Sequence, residues 1–234
     1  TRFLLPAYTR RRAYGDMRQA ANRLALAQWI ATDPATKFGE LGLSADDYVK
    51  AAVDGPGSFG SVVGRVFKCY AERFGKPRWG DKRPSYFAWV GVLRRLFPDA
   101  QFIHLVRDGR DCVASLKEMP WYPHDVFHAV ATWAEAMDHG RAHLRRLPPD
   151  TFLELRYEDL TADPETELRR ICAFLGEEYD PAMCEPHRMA DIAVPAHKVW
   201  HRNTRGDITQ DRVGRWAERL EPWEISLCET VLGD

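Results

Sequence analysis

Apolar residues recur at three- and four-residue spacing through residues 58–74, at Phe59, Val62, Val63, Val66, Phe67 and Tyr70. That period predicts an amphipathic helix, which Gly75 and Lys76-Pro77 end. Residues 14–31 carry Met17, Ala21, Leu24 and Trp29 on a broad apolar side and predict a helix stopped by Asp33-Pro34. Residues 41–53 predict a short helix with Ser44 as N-cap, stopped by Gly55-Pro56-Gly57. In residues 86–97, Phe87, Val90, Leu93 and Phe97 share one side of a further helix. Two short apolar runs, 101–106 and 152–157, read as strands. Between them lie helical patterns at 109–117 and 124–147, the second presenting Val126, Val130, Trp133, Met137 and Leu144 and ending at Pro148-Pro149. Residues 164–175 are helical with Leu168, Ile171, Cys172 and Leu175 inward and Gly176 at C′. Residues 213–220 and 222–232 also read as helical, and 78–82 as a short extended piece.

Few strands separated by helices imply an α/β fold, with a central parallel sheet flanked by helices. The pattern predicts a single domain over residues 1–234. Ligands of such sheets bind beyond the carboxyl ends of the strands. Lys82, Arg107 and Tyr157 each stand at or near such an end, so three extended segments bring polar groups to one rim. The stretch FIHLVRDGRDCVAS, beginning at Phe102, carries the strongest signal. A strand delivers Arg107 into a charged turn, and Ser115 follows eight residues later, two turns into the next helix. A guanidinium, helix N–H groups and a hydroxyl in this order are the parts of an anion site, and point to nucleotide or phosphate recognition.

Composition narrows the partners. Hydrophobic residues are 45% and charged residues 29% of 234, an ordinary globular balance. Lys and Arg number 33 against 34 Asp and Glu, so there is no basic field of the kind nucleic-acid binding uses. Arg10, Arg11 and Arg12 form a local basic cluster that reads as a solvated turn. The five cysteines include no CxxC pair, which argues against a zinc ribbon, and their odd number suits the reducing cytoplasm. There is no signal peptide and no apolar run near membrane-spanning length.

Three stretches, WGDKRPSYF, FIHLVRDGRDCVASL and RYEDLTADPETELRRICAFLG, occur in the order found in sulfotransferases that use 3′-phosphoadenosine-5′-phosphosulfate (PAPS). The chain resembles that family, in its bacterial and tyrosylprotein branch, over most of residues 78–223. VGRWAERLEPWE is similar to its C-terminal pattern, and TRFLLP to the segment after its first helix. The resemblance implies a fold like that of P-loop NTPases. It implies that Arg107 and Ser115 hold the 3′-phosphate of PAPS, that Tyr157 contacts the adenine side, and that Lys82 lies near the transferred sulfuryl group. Arg205 and Gly206 resemble a late basic-glycine loop that closes over the 3′-phosphate. The family's phosphosulfate loop, a PRSGT-like stretch, is absent from these residues, as is any GxxxxGK[ST] substitute. The resemblance places a catalytic glutamate just before the position of Thr1, and Arg2 beside it as a substrate-orienting residue. The expectation is an N-terminally incomplete domain.

The reaction so implied is transfer of a sulfuryl group from PAPS to a hydroxyl or amine on a small molecule, lipid or glycan, without a metal. Two other readings stay open: a P-loop kinase-like phosphotransferase, and a non-catalytic nucleotide-binding protein. Each site residue also has a plain structural reading. Arg107 could pair with Asp108 or Asp111, Lys82 with Asp81, Ser115 could bond back to a helix carbonyl, and Tyr157 could simply pack. His104 reads as a sheet histidine. His197 and His201 lie in a basic loop. His139 and His143 share a helix face but lack an HExxH glutamate, so no metal site is assigned.

Overall fold

In a computed structural model, residues 2–188 and 206–232 are described. The chain divides into two compact units, Thr1–Asp99 and Ala100–Asp234.

The first unit is helical: α1 (Leu4–Thr9), α2 (Arg11–Tyr14), α3 (Ala20–Thr32), α4 (Ala45–Val53), α5 (Phe59–Arg73) and α6 (Val90–Leu96). α4 and α5 begin where serine caps predict. Ser44 accepts from Asp47 N at 3.2 Å and Ser58 from Ser61 N at 3.1 Å. The apolar stripe of α5 is buried through Val62, Val63, Val66 and Phe67. Each such side chain contributes about 1.5–3 kcal/mol on leaving water. Against it pack Phe3, whose ring lies 5.3 Å from that of Phe67, and Tyr48, which donates to Val62 O at 3.1 Å. Gly60 lets α5 approach the last turn of α6, because a Cβ there would meet Leu96 O at 2.2 Å.

Three sequence expectations are corrected here. The helix expected over 14–31 begins only at Ala20. Gly15, at φ 72°, turns the chain, and Asp16 holds that turn by accepting from Arg18 N at 3.0 Å. The helix expected over 86–97 starts as a 3-10 turn, Pro84–Trp89, before α6. Residues 78–82 form no strand, so Lys82 does not stand at a strand end.

The second unit holds the parallel sheet. β1 (Phe102–Val106) and β2 (Phe152–Arg156) pair from Phe102↔Phe152 to Val106↔Arg156. They are the two strands among the described residues, and the crossover between them consists of α7 (Gly109–Lys117) and α8 (Val126–Arg146). β2 runs directly into α9 (Tyr157–Ala162), then α10 (Pro164–Leu175) and, later, α11 (Pro222–Leu232). α10 ends as its sequence predicts, with Gly176 at φ 70° and Glu177 N bonded back to Cys172 O at 2.9 Å. Residues 213–220 are not the expected helix. A 3-10 turn, Arg215–Glu218, forms after Gly214, because the backbone N–H groups there bond to a side chain of α7. Val113, Ala114, Val130, Leu220 and Cys228 form the core between α7, α8 and the C-terminal segment.

His104 is the sheet histidine that its mid-strand position implies. Its Nδ1 lies 3.0 Å from Glu154 Oε2, directly across the ladder. Its ring fills the space left by Gly140 of α8, where a Cβ would come within 2.4 Å of the ring.

This contact makes a signed prediction. In an otherwise wild-type chain, Gly140→Ala is expected to destabilise by about 1–3 kcal/mol through overpacking, despite the better helix propensity of alanine. In a His104→Ala background the clash is gone and the same change should stabilise by up to about 1 kcal/mol. Urea unfolding of the four proteins measures both; the same sign in both backgrounds would refute the contact.

Candidate functional site

The in-register ladder decides which residues meet at the carboxyl ends of the strands. Val106 pairs with Arg156, so the next residues, Arg107 and Tyr157, emerge side by side. The Arg107 guanidinium lies 4.7 Å from the Tyr157 ring centroid. This is cation–π distance, and it holds the guanidinium plane in place. The Arg107 carbonyl is fixed as well, accepting from Trp133 Nε1 of α8 at 3.0 Å.

Beyond Arg107 the chain turns into α7. Asp108 is the N-cap, accepting from Arg110 N at 2.8 Å and pairing with the Arg110 guanidinium at 2.8 Å. The open N–H groups expected at this helix start are therefore partly taken by Asp108. Glu158, the first acid of the YED block, accepts from Asp108 N at 2.9 Å and so braces the β1–α7 turn against α9. Burial pushes the Asp108 carboxyl up, but the hydrogen bonds and charge of Arg110 outweigh it and hold the group below the ordinary aspartate value.

Asp111 is fully buried and lies one helical turn before Ser115 on the same face of α7. Its Oδ1 accepts from Trp216 N and its Oδ2 from Gly214 N, each at 2.9 Å. Oδ2 also lies 3.4 Å from Arg107 Nη2. The carboxylate thus ties the segment around residues 212–216 to α7 beside the arginine. Arg107 Nη2 donates to Arg212 O in the same segment. Arg110 stacks over Trp216 at 4.1 Å, and Arg219 pairs with Glu118 at 2.6 Å.

The Arg107 Nε is buried and has no hydrogen-bond partner among the described residues. A buried, unmatched polar group is costly, and Arg65 Nε, Arg94 Nε and Glu158 Oε2 share that state among the described residues. Ser115 is half-buried on α7, one helical turn after Asp111.

The other candidates are distributed as follows. Gly206 is described, exposed, in a bend. Arg205 lies outside the described residues, as do Lys198, His197, His201 and Arg202. Lys82 is exposed in the first unit, in an irregular segment braced by Tyr86 donating to Asp81 at 2.5 Å. Arg2 also belongs to the first unit and lines a cleft there. Cys112 is a thiol, not a thiolate, at neutral pH, since burial pushes it up to about 11. Among the described residues no cluster of His, Cys, Asp and Glu could hold a metal, and no helix is long and apolar enough to cross a membrane. Sequence reasoning offered the Arg107–Asp111 pairing, which is present at 3.4 Å, but missed that Asp111 also holds Gly214 and Trp216, and missed Trp133 and Arg212. The acid in the first turn of α7 is visible in the sequence, but the groups it accepts from lie more than a hundred residues away.

The sequence pattern described as "Sulfotransferase family" matches residues 1–181, and the chain belongs to that family. The omega-hydroxy-beta-dihydromenaquinone-9 sulfotransferase Stf3 of Mycobacterium tuberculosis is 34% identical over 110 residues, which is 41% of this chain and 28% of that protein. A putative protein-tyrosine sulfotransferase of Caenorhabditis briggsae is 26% identical over 122 residues, 50% of this chain and 44% of that protein. The chain thus spans less than half the length of either relative. Among solved structures, the sulfotransferase domain of the Synechococcus PCC 7002 olefin synthase superposes with a TM-score of 0.58 at 25% identity, covering 88% of this chain and 79% of that one. The sulfotransferase domain of the curacin biosynthetic pathway superposes at 0.56 and 22% identity over 83% and 76%, which bears on the fold.

The Asp108 pairing predicts an acid limb. A depressed carboxyl stabilises the folded chain above its unfolded pKa, about 3.9, and loses that contribution as pH falls through the lower folded value. Asp108→Asn keeps the cap but not the charge, so its Tm deficit relative to wild type should be present at pH 6 and shrink below about pH 4. A deficit that stays constant down to pH 2 in thermal melts would show that the pairing contributes nothing.

Proposed function

We propose that this chain forms the nucleotide-gripping part of an enzyme that transfers a sulfuryl group from PAPS to a hydroxyl or amine on a small molecule, lipid or glycan. The observation that carries the reading is the buried, partnerless Nε of Arg107, held between Tyr157 and Asp111 at the end of β1. In this reading Arg107 and Ser115 hold the 3′-phosphate, and Tyr157 lies along the adenosine. The resemblance also assigns Arg205 and Gly206 to the phosphate. Family membership supports sulfuryl transfer, and the names of two relatives point to hydroxyl acceptors, an omega-hydroxy dihydromenaquinone and a protein tyrosine.

The chemistry is an in-line displacement at sulfur. The acceptor oxygen forms a bond to sulfur as the bond from sulfur to the 5′-phosphate oxygen breaks, and the acceptor proton passes to a base. Negative charge grows on the departing phosphate oxygen, and a cation there favours the transition state over the ground state. Lys82 is assigned that role, and Arg2 the orientation of the acceptor. His104 is not the base, because its ring is wedged against Gly140 and engaged by Glu154. No metal is needed when cationic side chains neutralise the charge. Free cysteines throughout fit a reducing compartment such as the cytoplasm.

Two measurements test the assignments. Arg107→Ala should weaken binding of adenosine 3′,5′-bisphosphate by about 1.5–3 kcal/mol, the range for a hydrogen bond to a charged group, while adenosine 5′-monophosphate binding changes little. Calorimetry on the folded variant reads this, and an unchanged affinity for the bisphosphate removes Arg107 from the site. Lys82→Ala should lower kcat by roughly a hundredfold or more with KM for PAPS nearly constant. Steady-state rates with the reverse pattern would make Lys82 a binding residue.

A further inference from the structure

The first unit contains a cleft of about 540 Å³ whose walls are unusually cationic. Arg2, Arg10, Lys37 and Arg83 line it with one acid, Asp33, while Lys37 also contacts Glu40 and Arg83 has a further partner. Asp33 is already engaged: Oδ2 accepts from Trp29 Nε1 at 2.9 Å and Oδ1 from Ala35 N at 2.8 Å. The four cations come from four separate places in the chain, so their convergence is a product of the fold and not of one basic run. Cations around one concavity favour the entry of an anion.

The cleft is not only charged. Leu5, Pro6 and the half-buried Trp29 give it an apolar side, and the Arg10 guanidinium lies 5.5 Å from the Trp29 ring centroid. Its base is rigid. Thr36 is buried, its single hydroxyl proton is shared between Ile30 O and Asp33 O at 2.8 and 2.7 Å, and its carbonyl accepts from Arg2 N at 3.0 Å. Lys37 follows in the left-handed conformation at φ 63°, the one non-glycine residue with positive φ among those described. Glycine would adopt that backbone at lower cost, yet a long cation stands there. Its exposed contact with Glu40 at 3.2 Å is of the weak surface kind, which leaves the ammonium able to reorient toward a ligand.

We propose that this cleft binds the anionic end of the acceptor: a hydroxylated small molecule whose carboxylate or phosphate meets Arg2, Arg10, Lys37 and Arg83 while its ring or chain lies on Trp29 and Leu5. Calling the ligand an acceptor rests on the sulfuryl-transfer reading; the binding does not. The chemistry selects an amphiphile with one anionic group, and it disfavours neutral and cationic analogues of the same shape.

Four probes with one body and different charge test this by calorimetric titration of the full chain: 4-hydroxyphenylacetate, 4-hydroxyphenyl phosphate, neutral tyrosol and cationic tyramine. The two anions should bind at least about tenfold tighter than tyrosol, with tyramine weakest, and the stronger anion identifies the head group. The Arg10→Ala/Lys37→Ala double variant should lose about tenfold or more for the anions and little for tyrosol. Lys37→Glu, checked for fold by circular dichroism, should reverse the order of 4-hydroxyphenylacetate and tyramine. Equal affinity for tyrosol and the anions, or anion binding unchanged in a folded double variant, overturns the proposal. So does an acidic tyrosine-containing peptide that binds far tighter than both small anions, since it would assign the cleft to a protein acceptor. The titration contains no sulfate donor. A negative result therefore refutes the cleft and leaves sulfuryl transfer standing, whereas an inactive protein that still binds the anions refutes the transfer and not the cleft.

Discussion

The second unit is organised around one buried carboxylate. Asp111 has no exposed surface, and a charge in that position is tolerable only when it is fully matched. Two backbone N–H groups from the C-terminal segment and the edge of the Arg107 guanidinium supply the match. The same three contacts hold the C-terminal segment on α7 and set the direction of Arg107. They also limit the arginine: part of its charge and one of its nitrogens are committed to the protein. What remains is a fixed guanidinium with a buried Nε that lacks an acceptor. Such an arrangement gives up some electrostatic strength for orientation, which suits the proposed sulfuryl transfer, a reaction governed by positioning.

Much of this arrangement is legible in the residues because its causes are local. Ser44, Ser58, Asp108 and the Pro164–Gly176 pair fix helix ends through side-chain caps or backbone preference, and the elements they bound fall where the pattern puts them. The meeting of Arg107 and Tyr157 is legible too, because two strands joined by helices must run parallel and their last residues then lie together. The failures have physical reasons as well. The apolar side of residues 14–31 continues across Gly15, and only the Asp16 turn shows that the helix restarts. Residues 213–220 have helical spacing, but Asp111 competes for the N–H groups that a helix start would leave open. No local rule reveals an acceptor a hundred positions upstream. Residues 78–82 contain aromatic and basic residues at strand-like spacing but no ladder partner.

The chemistry divides along the same line. The residues assigned to the phosphate sit on elements whose geometry follows from strand and helix rules, so their type and spacing are informative in the sequence alone. The acceptor side has no such motif. It emerges only as a concavity of the folded chain, through charges at Arg2, Arg10, Lys37 and Arg83 that come from separate segments. In the proposed assignment, donor recognition is encoded in sequence patterns, and acceptor recognition in the folded surface.

The most direct measurement is a crystal structure of the chain with adenosine 3′,5′-bisphosphate. The account requires the 3′-phosphate to lie within hydrogen-bonding distance of Arg107 Nε and the Ser115 hydroxyl, with the adenosine beside Tyr157. A nucleotide bound at another place, with Arg107 Nε still unmatched, would contradict it.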